Sequence, residues 1–190
     1  MSNGFLAAAV LALAGAAGPQ PQVATLDFTE PGLTRLTGFT TIRLSNASLN
    51  SEDRQIFIGP PGEYGERDGL GVACATSETG RCNADWSISF AAPVEALVFS
   101  AFHVQPGDSV TVTAFLDGRL LGQAVVERQK TIDLSDLGAI DRLHFDDESA
   151  ESGIAFGDFR FRTAPLPAAL PLLIGAAGAL PLLRAGRRRR

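Results

Sequence analysis

Charged residues are missing from both ends of the chain. Residues 1–24 contain no Asp, Glu, Lys or Arg, and residues 164–183 contain none either. The segment between them holds all 21 acidic residues but only 11 of the 16 basic ones, so its formal charge is −10 against −5 for the whole chain. An acidic body is unsuited to nucleic acid, whose phosphates require a basic patch. We therefore expect no nucleic-acid partner.

Residues that commonly carry catalysis are also scarce. His103 and His144 are the only histidines, and no Gly-x-Ser-x-Gly motif marks a nucleophile. Paired carboxylates hydrolyse glycosidic bonds in many enzymes. In a body with 21 acidic residues, however, the sequence does not indicate which two carboxylates would form a catalytic pair. We predict that the protein is not an enzyme.

Polar aromatic residues are nearly absent. The chain has 12 Phe but one Tyr and one Trp, a ratio that indicates packing more than recognition. Tyr64 lies in the Gly- and Pro-rich stretch GPPGEYGERDG, where exposure is expected. Trp86 opens an alternating strand, which favours a place in the core. Tyr64 and Trp86 are the candidate ligand-binding residues, because sugar faces stack on aromatic rings.

Only two cysteines are present, Cys74 and Cys82, on either side of ATSETGR. In an exported protein, so close a pair predicts a disulfide across a loop or hairpin. Free thiols are the alternative. A metal site at these cysteines is not expected, because no further Cys or His lies nearby to complete four ligands.

No helical stripe of any length runs through residues 25–163, and apolar residues there recur with period two. Examples are QIFIG, WSISF, VEALVFSAF, KTIDL, IDRLHF and GIAFGDFRF. In SVTVTAFLDGRLLGQAVV, Asp117-Gly118 predicts a tight hairpin turn. About ten short strands with turns between them predict an all-β, antiparallel, jelly-roll-like β-sandwich.

Carboxylates within this body suggest a calcium site. Asp158 interrupts the apolar closing strand, and Asp27 or Asp68 are the residues that would share a structural Ca²⁺ with it. Asp158 equally fits an outward-facing position on that strand. The acidic stretch HFDDESAES at 144–152 lacks EF-hand spacing, and a solvated loop is the favoured interpretation.

Residues 1–24 are typical of a signal peptide. An apolar run from Phe5 to Ala14 precedes Ala14-Gly15-Ala16, the small-x-small pattern that signal peptidase cleaves after. No basic residue precedes the run. Either the free amino terminus supplies the only positive charge there, or the true start lies upstream of Met1. A buried N-terminal helix is the alternative.

Residues 164–190 read as a membrane-directed tail. Leu166 to Leu183 is an uncharged stretch of 18 residues, which as a helix spans ~27 Å, just short of a ~30 Å hydrocarbon core. The arginines that follow favour the cytoplasmic side; they are Arg184, Arg187, Arg188, Arg189 and Arg190. A core helix with a solvated tail is the alternative.

The order of these parts resembles a known sorting signal. Pro165-Leu166-Pro167-Ala168, an apolar span and a terminal Arg cluster are similar to the VPLPA-CTERM signal of the PEP-CTERM class, with Ala164 in place of the Val. The resemblance implies recognition by an exosortase, a membrane enzyme thought to cleave near the motif. DGLGV at 68–72 and GIAFGDFRF at 153–161 are similar to the galactose-binding or lectin-like β-sandwich bodies of such proteins.

These features together predict three segments: a signal peptide at 1–24, a β-sandwich at 25–163 and a sorting signal at 164–190. The protein would be exported, anchored transiently in the inner membrane and released to the cell surface or matrix. Signal peptidase, an exosortase and extracellular polysaccharide are the expected partners. A structural or adhesive role is the predicted function, and a Ca²⁺-dependent carbohydrate-binding module is the alternative.

Overall fold

The computed structural model describes residues 22–30, 33, 39–52, 54–62, 65, 67–78, 80–150 and 152–163. Over these residues the chain forms eleven β-strands and one 3-10 turn at Ser135–Leu137. The strands are β1 Val23–Thr25, β2 Thr41–Arg43, β3 Ala47–Asn50, β4 Gln55–Gly59, β5 Val72–Thr76, β6 Trp86–Phe102, β7 Val110–Leu116, β8 Arg119–Val126, β9 Thr131–Asp133, β10 Ile140–Asp147 and β11 Ala155–Thr163. The predicted all-β class is confirmed.

The terminal predictions lie mostly outside this part of the chain. The sorting motif, the apolar span and the Arg cluster fall in 164–190, and the apolar run of the predicted signal peptide falls in 1–21. Within the described ranges, no helix has the length and apolar character needed to cross a membrane. The sheet itself starts at Val23, where β1 pairs with β11.

One long strand connects two layers. The prediction of separate strands at WSISF and VEALVFSAF was wrong, because both belong to the 17-residue β6. Its first half pairs with β3 and β10, and its second half pairs with β11 and β9. Between the halves, Ala91–Pro93 is exposed, and the proline lacks a backbone donor. The strand bends there and changes sheets instead of ending.

The hydrogen bonds join all eleven strands into one antiparallel sheet, in which β6 belongs to two groups of strands. We call the group β2-β3-β6-β10-β7-β8 the front sheet and the group β4-β5-β11-β6-β9, with β1 added to β11, the back sheet. The β7–β8 hairpin turns at Asp117 and Gly118, both with positive φ, so the predicted tight turn is confirmed.

Phenylalanine fills the space between the sheets. Trp86 and Phe145 of the front sheet stack at 4.3 Å, and Phe99 and Phe159 of the back sheet stack at 4.9 Å. Phe145 also reaches Phe156 of the back sheet, with ring centroids 4.6 Å apart. Each such pair adds about 0.5–1.5 kcal/mol beyond the burial of apolar area. These cross-layer contacts make the structure a β-sandwich.

Two bulges keep the aromatic rings facing inward. Along β6 the inward positions change from Trp86, Ile88 and Phe90 to Leu97, Phe99 and Ala101. Because side chains alternate with period two, one extra residue must be absorbed, and Ala96 absorbs it with φ of 51°. Asp158, with φ of 53°, does the same in β11 between Phe156 and Phe159.

The predicted disulfide is confirmed. Cys74 of β5 bonds to Cys82, with their Cα atoms 5.4 Å apart. On the outer face of the back sheet, Cys74 packs in a small apolar cluster with Val72, Phe102 and Ala155. Gly153 approaches the bridge so closely that a Cβ there would lie 2.0 Å from the carbonyl oxygen of Cys82.

Candidate functional site

Polar side chains form a continuous line across the outer face of the front sheet. The strand registers place six outward-facing residues side by side on six neighbouring strands. We call this line the polar row; its members are Thr41, Asn50, Ser87, His144, Thr113 and Gln123. Their sequence neighbours point inward: Leu49, Ile88, Phe145 and Val112 are at most 1% exposed. The row is therefore fixed by the core beneath it.

Small residues form the floor of this face. Ser87 is half-buried. Thr113 points away from the core, which its strand neighbours Val112 and Ala114 enter, yet it is only 6% exposed. Gln123 donates from Nε2 to Thr113 Oγ1 at 3.1 Å. Asn50 donates from Nδ2 to Ser48 Oγ at 3.3 Å. These bonds hold two amide side chains over the sheet with further donor and acceptor capacity.

A second line lies beside the polar row and carries charge. Arg43, Ser48, Ser89, Arg142 and Phe115 occupy matching positions on β2, β3, β6, β10 and β7. The Arg142 guanidinium lies 4.5 Å from the centroid of the Phe115 ring. A cation over an aromatic face at this distance is held by the ring quadrupole. Within the described part of the chain, the Arg142 side chain forms neither an ion pair nor a hydrogen bond.

Loops raise one wall of the face and make it a cleft of about 740 Å³. Arg54 contributes to this wall and pairs with Glu78 at 3.1 Å. Glu52 and Asp85 also border the cleft. Asp85 is held in place by the backbone N–H of Asp147, which donates to its Oδ1 at 2.9 Å. The cleft thus combines hydroxyl, amide, imidazole and guanidinium groups in one rigid surface.

Trp86 lies under this cleft and belongs to the core. The side chain is 3% exposed, and Phe145 covers one face of the indole. This placement leaves little ring surface for stacking on a sugar, so a ligand contact by Trp86 stays a prediction. Tyr64, the other candidate, lies outside the described residues.

The three carboxylates predicted to share calcium do not form one cluster. Asp27 Oδ1 accepts hydrogen bonds from the N–H and Oγ1 of Thr29 at 2.7 and 2.6 Å. In the described ranges, no group of three or more His, Cys, Asp or Glu residues is placed to hold a metal ion. A calcium site at Asp27, Asp68 and Asp158 stays a prediction.

Asp158 anchors a loop to the bulge of β11. Its carboxylate accepts the backbone N–H groups of Arg67 and Asp68 at 3.1 and 3.2 Å. Burial raises the pKa of Asp68 to about 6, and the adjacent Asp158 carboxylate adds to the rise against a hydrogen bond from Leu70. Asp68 Oδ2 is buried without a hydrogen-bond partner. Asp68 therefore holds its proton more tightly than an isolated aspartate does.

A second perturbed carboxylate lies at the end of β10. Burial raises the pKa of Asp147 to about 6, and nearby Asp108 adds to the rise, while hydrogen bonds from Ser149 oppose it. Asp108 is 2% exposed and accepts the N–H groups of Gln105 and Gly153. Asp147 belongs to the stretch expected to be a solvated loop; for this residue the expectation was wrong, because the end of the strand buries it.

Sequence reasoning did not identify the polar row. The alternation in SVTVTAF placed threonines on one face of β7, which was the available signal. The register that aligns them with Asn50, Ser87 and His144 is a property of strand pairing. Arg142 and Phe115 were missed for the same reason.

No protein-family model matches the chain, and no curated protein matches it. Among solved structures, the chain is similar to a variant of CBM29-2, a family 29 carbohydrate-binding module studied for ligand recognition. The identity is 12%, the alignment covers 77% of this chain and 88% of that one, and the TM-score is 0.31. At this TM-score, neither the fold nor the function of the chain is inferred from that module.

The raised pKa of Asp147 predicts a pH-dependent stability. Its pKa in the folded chain, about 6, lies above the ordinary 3.8, so the folded state binds the proton more tightly. Protonation of Asp147 therefore stabilises the folded state fully below about pH 4, and this stabilisation is lost as the pH rises through about 6. Asp147→Asn keeps an acceptor and removes the titration. Its free energy of unfolding, measured by urea denaturation, should improve relative to the parent protein as the pH rises from about 4 to about 6.5.

Asp146→Asn is the matched control, because Asp146 is the exposed neighbour on the same strand. We expect its stability to follow the parent protein over this range. Parallel pH profiles for Asp147→Asn and the parent protein would contradict the assignment.

Proposed function

We propose that the protein is a non-catalytic carbohydrate-binding protein whose ligand lies on the outer face of the front sheet. The polar row is the observation that carries this proposal. Sugar hydroxyls both donate and accept hydrogen bonds, and the row offers amide, hydroxyl and imidazole groups that do the same. Its six residues are spaced by the ~4.8 Å between strands, so the row forms an extended surface suited to a chain of sugar units.

The cleft supports binding of a polymer more than of a small molecule. It has a volume of about 740 Å³, and its lining includes Asn50, Ser87 and His144 from three neighbouring strands of the polar row. A rigid β-sheet floor costs little ordering entropy on binding, which favours affinity for an extended ligand. This role fits the adhesive or matrix function as well, since a surface protein that holds polysaccharide is adhesive.

We propose further that the chain is exported and sorted through its ends, with signal peptidase and an exosortase-type enzyme as processing partners. The Cys74–Cys82 disulfide supports an oxidising compartment. Cleavage after Ala16 leaves β1 intact, since that strand starts at Val23. The tail with Pro165-Leu166-Pro167-Ala168 and five arginines supports transient anchoring followed by release to the cell surface or matrix.

Blocking the floor of the cleft tests the binding proposal. Ser87→Tyr puts a bulky ring in the middle of the polar row and should weaken polysaccharide binding about tenfold or more. Ser100→Tyr is the matched control, because Ser100 is an equally half-buried, outward-facing residue on the other half of the same strand. Binding is measured by a glycan array followed by titration calorimetry, with and without EDTA, and product release is assayed in parallel.

We expect binding without turnover, lost in Ser87→Tyr and kept in Ser100→Tyr. Equal binding by both variants would contradict a binding site on the front sheet. Loss of binding in EDTA would support the Ca²⁺-dependent form of the proposal, and release of sugar fragments would contradict the non-catalytic one.

Intact mass of the native protein tests the export proposal. Protein recovered by fraction from its own cells should lack roughly the first 16 residues and the arginine tail, and it should be 2 Da lighter than the reduced form because of the disulfide. A full-length, reduced protein in the cytoplasm would contradict both export and sorting.

A further inference from the structure

We infer that the polysaccharide bound by the front sheet is anionic and that Arg142 binds its carboxylate groups. This inference rests on the proposed function and assigns the ligand class at the same site. It is carried by three features that the described residues of the outer face share: an unpaired guanidinium, the lack of a free aromatic surface, and an uneven distribution of charge.

Arg142 is positioned for an anion before any ligand arrives. The side chain is exposed, and its guanidinium is fixed over the Phe115 ring at 4.5 Å. No described acidic residue pairs with it. The guanidinium N–H groups have no hydrogen-bond partner among the described residues, so they remain able to bind a carboxylate through two parallel hydrogen bonds.

Neutral sugars are usually held by stacking on aromatic rings, and this face offers little such surface among its described residues. Phe115 is covered by Arg142, and Trp86 is 3% exposed. Recognition must then depend on hydrogen bonds and charge. A sugar acid supplies both, through its hydroxyls and its carboxylate.

The charges on the face are segregated. Arg43 and Arg142 lie in the second line, three strands apart or about 14 Å, and His144 lies in the adjacent polar row. Acidic groups, Asp85 and Asp146, lie on the opposite side of the polar row. On a body with a formal charge of −10, this pair of arginines is a local positive region. An anionic chain would therefore bind in one orientation, with its carboxylates toward Arg142 and Arg43.

A matched pair of polymers tests the inference. Polygalacturonate and its fully methyl-esterified form share one backbone, and only the first is charged. We expect titration calorimetry to show binding of polygalacturonate at low salt, weakening as salt is raised, and at least about tenfold weaker binding of the ester. The same loss is expected for Arg142→Gln with polygalacturonate, and a smaller loss for Arg142→Lys, which keeps the charge without the planar fork.

Arg162→Gln is the control variant, because it removes one exposed arginine from a strand of the back sheet; its affinity should equal that of the parent protein. Equal binding of both polymers, abolished by Ser87→Tyr, would overturn the anionic ligand and leave the proposed function standing. Binding restricted to neutral members of a glycan array has the same meaning. Binding of neither polymer and of no array member would overturn the inference and the proposed function together.

Discussion

The fold depends on one strand that serves both layers of the sandwich. Trp86–Phe102 supplies the third strand of the front sheet and continues as a central strand of the back sheet. The two halves of β6 are covalently continuous, so the strand fixes the distance between the two sheets. Aromatic rings from both sheets then fill the space between them. Phe145 and Phe99 touch across this gap with centroids 6.1 Å apart. A sandwich built in this way gains aromatic packing at little cost in loop closure.

The same constraint places the polar row. Once Trp86, Ile88 and Phe90 point inward, Ser87 and Ser89 must point outward, since strand side chains alternate. Pairing with β3 and β10 then brings Asn50 and His144 beside Ser87. The hydrophobic core thereby determines which side chains form the candidate binding surface. In the back sheet, the bulges at Ala96 and Asp158 keep the apolar side chains directed inward. Asp158 also accepts hydrogen bonds from the loop at Arg67 and Asp68.

Local features were predictable from sequence, and relations between distant strands were not. Period-two alternation identified most strands, Asp117-Gly118 marked its hairpin, and Cys74 and Cys82 formed the only possible intrachain bridge. Two separate strands were expected at WSISF and VEALVFSAF, yet pairing on both sides of Ala91–Pro93 keeps β6 continuous. Asp147 lies in an acidic stretch of the sequence, whereas its partial burial at the end of β10 and its nearness to the Asp108 carboxylate arise only in the fold. The polar row needs five strand registers at once, which a single sequence does not supply.

Amide chemical shifts of the isotope-labelled protein, recorded while polygalacturonate is added, test the central claim most directly. If a polysaccharide binds along the polar row, the largest changes should fall on β3, the first half of β6, β10 and β7, centred on Asn50, Ser87, His144 and Thr113. The second half of β6, β9 and β4 should change little, because they belong to the back sheet. Changes confined to the back sheet would contradict the account, and so would the absence of changes both with polygalacturonate and with the neutral polysaccharides of the glycan array.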